Sequence, residues 1–252
     1  QTMDLRPTAA EFAELSKGGH TLPIYREILA DTDTPVSAYM KLRGECDHTF
    51  LFESVEGGER GARYCFLGIR PTQIFRSRGQ RVTIEDRVDG SSRTFEADPR
   101  QALRKMMAPY TAAPQSGLPP FTGGAVGYLA YDGIRLVEDI PESATDDLGL
   151  DDMVFALYET VIAFDNLRHT ILVIANARVT DGQSVDEAYA DARQRIDELE
   201  ELLGRPITLP SLGADGDMGA IRSNMPRAHY MEAIERCLEY IRAGDIFQVV
   251  FS

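Results

Sequence analysis

Residues Ile246 to Phe251 constrain the fold of this chain more than any other stretch. The segment Ile246-Phe247-Gln248-Val249-Val250-Phe251 is apolar at every position but one. Successive side chains of a strand point to opposite faces, so a strand here is apolar on both. Such a strand belongs in the middle of a sheet covered on each side. Before it, Tyr230, Ile234, Cys237, Leu238 and Ile241 recur at helical spacing as one apolar stripe. Arg242 falls in the last turn, and Gly244 stands where a left-handed cap ends a helix. Gln248 shares a strand face with Ile246 and Val250, and an unpartnered buried amide costs on the order of 1–3 kcal/mol. A backbone group, a water or a ligand must therefore bond to it. The expected architecture is a large domain interrupted at its first central strand.

The earlier chain supplies mainly strands. Thr8-Ala9-Ala10-Glu11 is a capping-box pattern opening a short helix with Phe12 and Leu15, stopped by Gly18. Val36 to Leu42 alternates loosely and reads as a strand. Thr49–Ser54 and Arg63–Ile69 read as a hairpin with a long Gly-rich connection, and Gln73–Ser77 and Arg81–Arg87 as further strands. Asp98-Pro99 opens a helix bearing Ala102, Leu103, Met106 and Met107. Pro109 to Thr122 is a Pro/Gly/Ala-rich joint. The glycines of Gly123-Gly124-Ala125-Val126-Gly127 imply close backbone approach. An acidic loop runs from Glu138 to Asp152. Val154–Phe164 and Thr170–Ala175 read as one hairpin, and Ser184-Val185-Asp186-Glu187 caps a helix ended by Gly204 and Pro206. Leu209 to Ile221 reads as a linker. The fold class is α+β, mainly antiparallel sheets with flanking helices. Residues 1–210 form the first domain, and 211–252 the linker and the start of a second.

With 252 residues and 43% hydrophobic content, the chain can bury a sizeable core. A formal charge of −14 argues against nucleic acid or an anionic membrane as partner. No apolar run is long enough to span a bilayer and no export signal opens the chain. Cys46, Cys65 and Cys237 are scattered and odd in number, which fits reduced thiols in the cytoplasm.

Chemistry is sparse at the level of motifs. Cys46-Asp47-His48 has no second cluster at zinc spacing, and a turn with a free thiol accounts for it. Asp146, Asp147, Asp151 and Asp152 lack the spacing of a calcium loop and read as a solvated acidic segment. The Gly123–Gly127 run lacks the Lys-Ser/Thr of a phosphate-binding loop, so packing glycines account for it. Glu53 and Ser54 end an apolar strand. A carboxylate beside a hydroxyl there either holds a ligand's ammonium group or simply enters a turn.

An ordered set of stretches resembles component I of anthranilate synthase, within the chorismate-utilising enzymes. They are Pro35–Tyr39, Phe50–Gly58, Ala62–Gly68, Gly123–Tyr128 with Asp132, Asp146–Leu150, Ser223–Met225 and Ala243–Ser252. The resemblance implies a lyase that converts chorismate and ammonia to anthranilate and pyruvate in tryptophan biosynthesis. It implies Mg²⁺, a glutamine amidotransferase subunit as ammonia source, a hetero-oligomer, and feedback inhibition by tryptophan. It places the metal ligands and the catalytic histidine beyond Ser252, so that no catalytic residue or metal ligand lies in this chain and the stretch alone is inactive.

Two sites carry over by resemblance. The family's Leu-Leu-Glu-Ser inhibitor strand stands here as Leu51-Phe52-Glu53-Ser54, with Phe52 in place of the usual Leu, and Arg63 falls near a basic inhibitor contact. Gln248 matches a substrate-proximal position where water-adding relatives carry a Lys base. Ammonia is its own nucleophile, so Gln fits an amine-using enzyme. Aminodeoxychorismate synthase component I is the sister alternative. A non-catalytic amino-acid-binding module and a scaffold for an amidotransferase are the readings from other classes.

Overall fold

The computed structural model describes residues 4–18, 21–53, 63–112, 117–141, 145–180, 182–207, 220 and 222–251. Ser54, the Gly-rich turn at 56–59, most of the 209–221 linker and Ser252 therefore lie outside the described residues. The chain divides into two compact units, Gln1–Thr208 and Leu209–Ser252.

The first unit is built on two antiparallel sheets. Sheet 1 has the order β1-β10-β9-β3-β2, with β1 at Leu22–Leu29, β2 at Phe50–Phe52, β3 at Tyr64–Gly68, β9 at Thr160–Asp165 and β10 at Thr170–Ala177. Sheet 2 has the order β6-β5-β4-β8-β7, with β4 at Gln73–Arg78, β5 at Arg81–Asp86, β6 at Ser92–Glu96, β7 at Gly124–Leu129 and β8 at Met153–Tyr158. Helices α1 (Ala9–Leu15), α2 (Pro35–Leu42) and α4 (Val185–Leu203) cover one face of sheet 1, where Phe12, Leu42 and Ile196 meet Leu67, Ile162 and Val173. The other face meets sheet 2 through Phe50, Phe66 and Val161 against Ile74, Ala156 and Tyr158. Helix α3 (Pro99–Met107) closes the far side of sheet 2 with Ala102 and Met106 against Phe75, Val82 and Ile84. The layers run helix, sheet, sheet, helix.

Period-two alternation makes this stacking possible. In β4, Ile74 faces sheet 1 while Phe75 faces α3, and both are fully buried. Every residue of β10 is buried, because both its faces are covered. The strands covered on both faces are thus β9 and β10, not the 246–251 segment.

Helix termini follow the side chains that cap them. Thr8 and Glu11 bond reciprocally at α1, and Ser184 and Glu187 do so at α4. Val36–Leu42 is helix, not strand: Thr34 and Ser37 cap each other, and Pro35 takes the first position, where its missing N–H is no loss. Val154–Phe164 is likewise two strands. The chain leaves sheet 2 at Tyr158 and enters sheet 1 at Thr160, so only β9 pairs with β10.

The second unit contains helix α5 (Arg227–Ala243), ended as expected by Gly244 at φ 82°. Gly244 N–H donates to the Ile241 carbonyl and Asp245 N–H to that of Tyr240. The segment 246–251 is not a strand. Phe247 is 94% and Val250 84% exposed, and the Gln248 side chain is exposed as well. A strand exists only through its ladder, and among the described residues nothing pairs with this segment.

One ion pair anchors the turn end of the β9–β10 hairpin. Asp165 is 3% exposed, and its carboxylate accepts from Arg63 Nη2 at 2.7 Å and Nε at 3.1 Å, and from the backbone N–H groups of Leu167 and Arg168. Burial pushes its pKa up, but the Arg63 guanidinium and these N–H donors outweigh burial and hold it below the usual carboxylate value.

Two outcomes follow. The folded-state pKa of Asp165 is depressed, so its stabilisation is present above the ordinary carboxylate value of 3.8 and is lost as pH falls below it. The stability gap between wild type and Asp165→Asn, read from urea midpoints, will be wide at neutral pH and will narrow as pH falls through that range. At Gly127, an added Cβ would collide with the Val154 backbone across the β7–β8 ladder, whereas at Gly44 it would meet nothing within 4 Å. Gly127→Ala will cost about 1–3 kcal/mol, and Gly44→Ala less than about 0.5 kcal/mol.

Candidate functional site

Strand β2 runs along the edge of sheet 1 and ends at the Glu53 position that the sequence singles out. Its pairing with β3 sets Phe50 opposite Gly68, Leu51 opposite Leu67 and Phe52 opposite Phe66. Alternation separates the expected contacts Leu51 and Phe52. Leu51 packs into the core beneath the helices, while Phe52 stands on the opposite face.

That opposite face builds an aromatic box. Phe50 lies edge-on to Tyr158 with centroids 4.8 Å apart, and meets Phe121 at 6.3 Å. Phe66 meets Phe121 edge-on at 5.6 Å. These edge-to-face contacts set each ring's positive edge against another's negative face. Gly68 lets the box close: a Cβ there would collide with the rings of Phe50 and Tyr158. Burial in the box pushes the Tyr158 hydroxyl pKa up to about 12, so it stays a neutral phenol. Phe52 leans on Phe50 at 4.9 Å but is 53% exposed, and the exposed Glu53 follows it. The mouth of the box thus offers an aromatic face beside a carboxylate. That pair suits a ligand with a flat apolar body and an ammonium group.

Arg63 begins β3 at the same end of the hairpin as Glu53, but Asp165 already binds its guanidinium through Nε and Nη2. Its arm also passes over the Tyr64 ring at 4.8 Å. Ser54 lies outside the described residues, and Gln248 belongs to the second unit. The sequence reading missed Phe121 and Tyr158. Phe121 borders the glycine run, a usable signal, while nothing local marks Tyr158.

The other clusters have structural partners. Cys46 Sγ accepts from Arg70 N–H at 3.1 Å and donates to the His48 carbonyl at 3.0 Å. His48 Nε2 lies 3.2 Å from Arg76 Nη2, and burial, then Arg76 and Arg87, lower its pKa so that it stays neutral. Asp146 and Asp147 are exposed, as expected of a solvated acidic segment, and the loop is also tied to sheet 2. Asp146 pairs with Arg78, Asp151 with Arg76 at 3.4 Å, and Asp152 accepts from Gly79 N–H at 2.6 Å. Two arginines on β4 thus attract carboxylates that would otherwise repel one another. No helix among the described residues is long and apolar enough to cross a membrane.

Known proteins share this sequence and fold. The family model for chorismate binding enzymes matches residues 47–252, across both units. A protein of Acinetobacter calcoaceticus named anthranilate synthase component 1 is 38% identical over 95% of this chain and 48% of its own length. The protein of that name from Cereibacter sphaeroides is 39% identical over 94% of this chain and 48% of its own length. The crystal structure of anthranilate synthase component I from Streptococcus pneumoniae matches with TM-score 0.53 and 26% identity, over 86% of this chain and 46% of that one. The chain therefore spans about half the length of the curated relatives it matches. Since the family model accounts for most of its residues, the chain belongs to the chorismate binding enzymes.

Proposed function

We propose that this chain is part of the large subunit of an anthranilate synthase, a lyase that makes anthranilate and pyruvate from chorismate and ammonia. The observation that carries this reading is the 38–39% identity, across 94–95% of the chain, to relatives named anthranilate synthase component 1. Ammonia then comes from glutamine through a partner amidotransferase subunit in a cytoplasmic hetero-oligomer, and the product enters tryptophan biosynthesis. Residues 1–210 supply the regulatory domain, and 211–252 begin the chorismate-binding one.

Mg²⁺ belongs to this chemistry, with its ligands in the remainder of the enzyme. Among the described residues no three His, Cys, Asp or Glu side chains converge as ligands. The nearest approach, the acidic loop, is held by Arg76, Arg78 and the Gly79 amide. Gln248 takes the position beside substrate where a base is not needed, because ammonia attacks unaided.

The aromatic box supports the reading of a tryptophan feedback site. In this reading the tryptophan indole rests on Phe52 at the rim of the box, and its ammonium group bonds to Glu53. Leu51 supports the strand from the core, and Arg63, already bound to Asp165, fixes the hairpin rather than offering a whole guanidinium. Phe52 enlarges the aromatic wall.

Full-length enzyme containing this chain will produce fluorescent anthranilate from chorismate, ammonium and Mg²⁺. Aminodeoxychorismate as product would assign it to the sister synthase, and failure to consume chorismate would overturn the reading. In calorimetry on the 252-residue chain, Glu53→Ala will weaken tryptophan binding roughly ten- to a hundredfold, the loss of one charge-assisted hydrogen bond. Unchanged affinity would remove Glu53 from the site.

A further inference from the structure

On the far side of sheet 2 from the aromatic box, the sheet and helix α3 enclose an open groove of about 1000 Å³. Its floor is apolar, with Ile84, Ala102 and Met106. Its walls are cationic: Arg93 on β6, Arg104 and Lys105 on α3, and Arg178 just after β10. These residues come from three separate parts of the sequence, and only the fold brings them together.

The convergence stands out against the chain's charge. Acidic residues outnumber basic ones by 40 to 26, yet none of these four cations is in an ion pair among the described residues. Asp98 binds Arg100 at 2.8 Å, and Glu159, which with Asp86 acts on Tyr110 in the groove wall, lies 3.7 Å from Arg195. Two of the cations are held by rings instead, Arg178 over Tyr110 at 5.1 Å and Arg93 over Phe95 at 5.8 Å. A ring face orients a guanidinium without neutralising it.

Four like charges around one apolar-floored groove repel each other until an anion enters, and such a groove concentrates anions from solution. The guanidinium fork matches a carboxylate or phosphate with two parallel hydrogen bonds. An apolar floor with a few polar groups at the rim is the usual composition of a small-molecule site. We propose that this groove binds a small organic anion with a planar apolar body and a carboxylate or phosphate head. The groove lies on the face of sheet 2 opposite the aromatic box, and the proposal does not depend on tryptophan binding there.

The test is calorimetry on the 252-residue chain with naphthalene-2-carboxylate at low ionic strength, with inorganic phosphate as the head-group control. One saturable site is expected. Added salt will weaken it. The double charge reversal Arg104→Glu/Lys105→Glu, on an exposed helix face, will weaken it by at least about tenfold. Arg93→Glu, on an edge strand, provides a second variant that leaves the core untouched. The absence of saturable binding would overturn the proposal, as would affinity unmoved by either variant in chains whose circular dichroism is native. Inorganic phosphate binding as tightly as the naphthoate would also overturn it, because the apolar floor would then contribute nothing.

Discussion

The side-chain amide of Asn176 joins the two sheets of the first unit. Asn176 lies on β10 in sheet 1 and is 8% exposed. Its Nδ2 donates to the Thr122 carbonyl at 2.7 Å, just before β7 in sheet 2, and to the Glu159 carbonyl at 3.3 Å, where the chain crosses from one sheet to the other. Its backbone N–H bonds to the same Glu159 carbonyl at 2.7 Å. Carbonyls that leave one ladder without joining the next must find donors, since burying them bare is costly. Gly123 completes the junction, because a Cβ there would occupy the space of the Asn176 amide.

That junction positions both candidate sites. By holding β8 and β9 on different sheets, it puts Tyr158 opposite Phe50 and Phe66, so the aromatic box forms where the sheets face each other. It leaves the other face of sheet 2 to α3 and the cationic groove. The two sites therefore lie on opposite faces of one sheet and share its rigidity. The Arg63–Asp165 pair fixes the far end of the β9–β10 hairpin, and with it the strand that carries Phe66.

Local signals in the sequence predicted local structure well. Reciprocal caps at Thr8 and Ser184, the glycine stop at Gly244 and the packing glycines at 123–127 all depend on neighbouring residues, and each is found where expected. The α2 helix was obscured because Thr34 is capped by Ser37 rather than by Glu or Gln, while Val36 and Tyr39 favour strand. The crossover at Glu159 was hidden inside one long apolar run, since the chain changes sheets without changing composition. The 246–251 segment has the composition of a buried strand, but pairing is not a property of composition. Family resemblance located the Glu53 strand, while the ring partners Phe121 and Tyr158 come from distant positions that only the fold unites.

The most direct test of the junction compares Asn176→Asp with Asn176→Ala across pH by urea denaturation. A carboxylate there faces two carbonyl oxygens in a buried setting, so its folded-state pKa is raised and its charged form is destabilising at neutral pH. Once protonated, the same group donates a hydrogen bond. The Asp variant is predicted to be less stable than the Ala variant at pH 7 and to overtake it as pH falls through the raised pKa. Equal stability of the two variants at every pH would mean that the Asn176 amide does not join the sheets.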